Sequence, residues 1–137
     1  MKIGEFVYAK THAEMLNELL GTNYKAFMKC AIKLPDGKLL WMIELGNFVS
    51  KSGWINRLTS TVRIIEKQVT KEFTGHMTYK MALLENEHFD SRDRVVFDIE
   101  KGWSSRKYIF RGVFRLNKEE STEEENVWDL VADEYTL

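Results

Sequence analysis

The chain has 137 residues, 44% of them hydrophobic and 30% charged, a balance that supports one globular domain over residues 1–137 and excludes a disordered tail protein. A single cysteine, Cys30, rules out an internal disulfide, and the apolar run from Leu39 to Ile43 is far too short to span a bilayer. The net charge of -1 conceals an asymmetry: residues 117–137 carry eight acidic residues against the lone basic Lys118, and residues 1–116 are correspondingly basic.

The first ten residues lack the apolar core of a secretory signal, so the expectation is a cytoplasmic protein with no membrane contact. Gly4 to Ala9 reads as a short strand. Thr11 and Glu14 form a capping-box pattern, and Met15, Leu16, Leu19 and Leu20 then fall on one helical face up to the stop at Gly21. Tyr24 to Leu34 and Leu39 to Leu45 read as a hairpin about Pro35-Asp36-Gly37-Lys38, where Pro35 presets the turn and Gly37 permits a positive φ.

Residues 46–61 read as a polar connection holding Phe48, Trp54 and Ile55. Val62 to Val69 is expected to be a strand, as are residues 76–85, whose pattern also suits a short helix. Arg94 to Ile99 and Arg106 to Leu116 follow as strands. In the latter, Tyr108, Phe110, Gly112 and Phe114 share one parity, whereas Lys107, Arg111 and Arg115 share the other with Ile109 and Val113. After an acidic loop at about 117–126, Val127 to Val131 closes the set. One N-terminal helix and six or seven strands give an α+β class: a strongly curved, mostly antiparallel sheet or a small open β-barrel.

Catalytic patterns are weak. His12, His76 and His88 have no metal-ligand spacing, and no cofactor or metal site is expected. Cys30 reads as a buried, inert thiol. Phosphate loops and a serine elbow are absent from the sequence. The Asp36-Gly37-Lys38 spacing is explained by its turn, and Asp98 and Glu100 before Lys101 by a solvent-facing strand edge, although a metal-dependent enzyme would use such carboxylates. The expectation is a protein without enzymatic activity.

Two segments combine glycine, tryptophan and a basic residue. In Ser52 to Arg57, Trp54 offers a stacking platform, Asn56 a base-edge reader and Arg57 a phosphate contact. In Lys101 to Tyr108, Trp103, Arg106 and Lys107 repeat the theme, with Arg111 beyond them. The competing reading is that each tryptophan folds back to cap the core. DNA or RNA is the expected partner. The alternative is an inhibitor or adaptor, of the kind phages encode against host defence, whose Glu119, Glu120, Glu123, Glu124, Glu125 and Asp129, with Asp133 and Glu134, imitate phosphates for a basic nucleic-acid-handling protein.

Arg94 to Phe97, Tyr108 to Leu116 and Val127 to Val131 together resemble the closing strands of PUA-like modules, among them the SRA and EVE types. Such modules accompany modification-dependent restriction enzymes and RNA-modifying systems. The resemblance implies a small curved barrel that takes one base into an aromatic pocket, and the leading expectation is a module that binds nucleic acid as a modified-base reader.

Overall fold

The structure is a computed structural model that describes residues 1–46, 49–50, 53–69 and 76–137; Phe48 and Ser52 lie outside the described residues. In chain order its elements are β1 (Phe6–Ala9), α1 (His12–Leu20), β2 (Ala31–Lys33), β3 (Leu39–Ile43), β4 (Trp54–Thr59), β5 (Arg63–Gln68), α2 (Tyr79–Leu84), β6 (Arg94–Lys101), β7 (Arg106–Leu116) and β8 (Glu125–Ala132). Strands predominate, paired in both senses, so the α+β class stands with a second helix added. The residues form two compact units, one of Met1–Glu44, Arg94–Val113 and Ala132–Leu137, the other of Leu45–Asp93 and Phe114–Val131.

In the first unit, α1 forms where the sequence places it. Thr11 Oγ1 accepts from the Glu14 amide at 3.1 Å, and Gly21 takes φ 67° and donates its own amide to the Asn17 carbonyl. The box is displaced by one residue, because the Glu14 carboxylate accepts from the Lys10 amide instead of that of Thr11. Met15 and Leu16 are fully buried in a core with Leu40, Met42, Phe97, Tyr108 and Phe110. Each such side chain contributes roughly 1.5–3 kcal/mol by leaving water.

Strand β2 is shorter than expected, since only Ala31–Lys33 of the 24–34 stretch pairs with β3. Cys30, just before it, is exposed rather than buried. Strand β3 then pairs in parallel with β6, from Leu39 opposite Arg94 to Ile43 opposite Asp98. No tight turn joins parallel neighbours, and here the connection is the whole of residues 45–93. With neighbours on both sides, all five residues of β3 are buried.

In the second unit, residues 46–61 are not merely a connection: Trp54–Thr59 is β4, paired antiparallel with β5. Their turn carries Ser60 and Thr61 at φ 54° and 58°, the doubly left-handed geometry that suits a hairpin's twist. Residues 79–84 fold as α2 and not as a strand. Thr78 caps it, Oγ1 accepting from the Met81 amide and donating to the Glu123 carbonyl at 2.7 Å. The pattern of residues 76–85 suits either element, and the Thr78 cap decides for the helix.

Candidate nucleic-acid interface

The second unit brings a polar cluster onto a buried sheet face. Alternation puts Trp54, Asn56 and Leu58 on one side of β4. Register then sets Asn56 opposite Glu66 and Leu58 opposite Ile64, while β8 sets Asn126 opposite Glu66 and Trp128 opposite Ile64. Directly opposed residues share a face, so Trp54, Asn56, Glu66, Asn126 and Trp128 belong to one surface. Trp54 is 8% exposed, and Asn126 and Trp128 are wholly buried.

The hydrogen bonds within this face are uneven. Glu66 Oε1 accepts from Asn126 Nδ2 at 2.8 Å and from Trp128 Nε1 at 3.1 Å. Asn126 Oδ1 in turn accepts from the Tyr79 amide at 2.8 Å, which fixes the start of α2. Phe89 packs between Tyr79 and Trp128, at centroid distances of 5.8 and 6.4 Å. Asn56 Oδ1 is different: it is buried, and no donor among the described residues reaches it. A buried amide oxygen left unpaired costs about 1–3 kcal/mol, which a donor from outside the described residues would recover. Beside the Glu66 carboxylate and the Trp54 indole, it suits a flat ligand bearing hydrogen-bond donors.

The expected constellation is therefore redistributed. Trp54 opens a strand instead of standing in a loop, and Asn56 shares its face. Arg57 is exposed on the opposite side of β4. Glu66, Asn126 and Trp128 were not foreseen as site residues. Their one sequence signal is a carboxylate two residues from Ile64 on the inward parity of its strand.

Trp103, Arg106, Lys107 and Arg111 belong to the first unit. Trp103 is fully exposed and caps no core; it stands in the β6–β7 turn, closed by the Gly102 amide on the Ser105 carbonyl at 2.9 Å. A Cβ at Gly102 would sit 2.9 Å from that same oxygen, so the turn needs glycine there. Arg106 shares the parity of Tyr108, whose hydroxyl lies 2.8 Å from His12 Nδ1. Burial, aided by the Arg106 charge, holds His12 below its ordinary value. Lys107 points to the other face and lies over Phe6. Arg111 is held by Asp98 at 2.9 Å; that pairing lets Asp98 be buried where a solvent-facing edge was expected.

Among the acidic residues, Glu120 and Asp129 both grip Arg63, at 2.7 and 2.6 Å. Glu119, Glu123 and Glu124 are exposed, and Glu125 is partly covered. The loop itself is braced by Ser121, whose hydroxyl donates to the Asn117 carbonyl and accepts from the Val127 amide. Among the described residues there is no group of three metal-ligating side chains, and no helix is long and apolar enough to cross a membrane.

The family model of the SET and RING associated (SRA) domain matches residues 1–137. The chain belongs to the SRA domain family. The match reaches well beyond the C-terminal strands in which the PUA-like resemblance is legible. No curated protein matches this SRA domain at a significant level. Among solved structures, the 5-hydroxymethylcytosine-specific restriction enzyme AbaSI is similar, with a TM-score of 0.65 and 23% identity over 95% of this chain and 40% of that one. The SRA domain thus spans less than half of that enzyme, and the likeness is one of fold.

Proposed function

We propose that this SRA domain reads a modified base in DNA, by binding and without catalysis, at the face formed by Trp54, Asn56 and Glu66. The observation that carries the reading is the buried, unpartnered Asn56 Oδ1 beside a carboxylate. Cytosine presents an exocyclic amine as donor, and a hydroxymethyl substituent adds a hydroxyl donor. Two acceptors on one strand pair match that edge. The specificity in the name of AbaSI supports the same class of base, and with it a role in defence against modified DNA.

The base must leave its stack to reach a buried face, which costs a few kcal/mol. With Trp54 only 8% exposed, stacking on it returns less than the about 1–3 kcal/mol of an open platform, and a hydrogen bond to a charged acceptor returns about 1.5–3. The balance favours binding only where the donors are correctly placed, which is the basis of discrimination. The competing partner, a basic protein gripped by the acidic segment, has less to hold, because Arg63 already occupies Glu120 and Asp129.

Fluorescence anisotropy with duplexes carrying cytosine, 5-methylcytosine or 5-hydroxymethylcytosine at one position, at two salt concentrations, tests the proposal. A modified duplex should bind at least tenfold tighter than the plain one, and Asn56→Ala should abolish the difference. Equal affinity for all three duplexes overturns the reading.

A further inference from the structure

Three aromatic side chains of the first unit are open to solvent: Phe6 at 44%, Tyr8 at 60% and Trp103 at full exposure. A single exposed aromatic is ordinary, but two of these are neighbours on one strand. Alternation along β1 sends Val7 and Ala9 inward and leaves Phe6 and Tyr8 on the outer face. Their rings meet edge to face, 5.3 Å apart at 75°, a contact that occupies one face of one ring and neither face of the other.

Register sets Tyr8 opposite Lys107 and Phe6 opposite Ile109. The Lys107 amine lies 4.2 Å from the Phe6 ring centroid, whereas Lys101 of the neighbouring strand β6 is paired with Glu44. Lys2 and Lys10 flank the strand and are exposed. Trp103 stands on the turn that leads into β7 at Arg106, the residue opposite Ala9.

We infer that the Phe6–Tyr8 face, with Lys107 and Trp103, is a stacking surface for unpaired nucleotides of a single-stranded nucleic acid. Exposed rings on a strand accept bases of any identity, and a lysine between them supplies a phosphate contact. Lysine is depleted from the centres of protein–protein interfaces, so this arrangement fits a polyanion better than a protein partner. None of these residues belongs to the second unit, which holds the base-reading face.

The test is anisotropy of a labelled oligothymidylate strand, which contains no cytosine, against the whole chain at two salt concentrations. Wild type should bind at low salt. Phe6→Ala with Tyr8→Ala should weaken binding at least tenfold, and Tyr8→Phe should retain it. Lys107→Ala should weaken binding and flatten the salt dependence by about 0.7 in log–log slope. Trp103→Ala changes a fully exposed side chain, so a loss of affinity there is not a loss of folding. No binding by wild type, or a double alanine variant within twofold of it, overturns the inference. So does a sedimentation result in which the double variant loses self-association while still binding the strand. Failure of the base-reading face would show differently, as equal affinity for modified and plain duplexes.

Discussion

Replacing Asn56 with leucine separates what the fold needs from what the site needs. The Asn56 amide oxygen is buried and unpaired, and that state costs about 1–3 kcal/mol. Leucine has a similar volume and carries no polar atom to desolvate. Because the residue as a whole is only partly buried, the lower end of that range applies, a gain of about 1 kcal/mol. For a domain of this size, a urea slope of about 1.5 kcal/mol per M turns the gain into a midpoint raised by roughly 0.7 M. Tryptophan fluorescence during urea titration reads the midpoint, and the anisotropy series reads binding in the same preparations. Asn56→Leu should be more stable than wild type and blind to base modification. A midpoint lowered by a similar amount would show that the oxygen is satisfied within the folded chain. The argument for an external donor would then fail.

Glu66→Gln keeps the Oε1 acceptor for Asn126 and Trp128, so stability should change by less than about 1 kcal/mol while modified-base binding falls. Glu66→Leu strands two fully buried donors and should cost about 2–6 kcal/mol in the same urea assay. His12 titrates below its ordinary 6.5 because it is buried and faces Arg106. The unfolded chain therefore takes up that proton first, and stability should fall as pH drops below about 6.5, a loss that His12→Gln should reduce. Burial and the Asp36 hydrogen bond push Tyr135 up to about 12, so its contribution is complete below pH 10 and lost between 10 and 12. The Tyr135 hydroxyl, with the Lys38 amide, holds Asp36 down at about 2, so that contribution is complete above pH 3.8 and lost towards 2. Tyr135→Phe should flatten the alkaline window and weaken the acid one.

The parts of the fold written locally are the parts the sequence reveals. Helix α1 carries its own cap, stripe and stop, and β7 carries Tyr108, Phe110 and Phe114 on one parity with Lys107, Arg111 and Arg115 on the other. Strand β4 is hidden because its turn, Ser60-Thr61, lacks the glycine or asparagine that normally signals left-handed geometry. The parallel pairing of β3 with β6 is hidden for another reason: it depends on a crossover of some fifty residues, and no local pattern encodes that. Cys30 reads as buried only if Tyr24 to Leu34 is all strand; with pairing confined to Ala31–Lys33, it falls outside. Trp54 and Asn56 were legible as residue types, but their companions Glu66, Asn126 and Trp128 come together only through the register of three strands.

That register also explains why the proposed binding face is rigid and yet keeps one acceptor open. Trp54 and Asn56 sit on paired strand and not on a loop, so their positions are set by the backbone ladder with β5. Glu66 is oriented by two buried donors from β8, and Asn126 is itself oriented by the first amide of α2. Each of these groups is fixed by another part of the unit. Among the described residues no donor reaches Asn56 Oδ1, at the place where the other acceptor and the indole converge on one face. A fully satisfied network would stabilise the fold and recognise nothing. On the proposed reading, leaving one acceptor open at a cost of about 1–3 kcal/mol lets the correct base recover that energy only on binding.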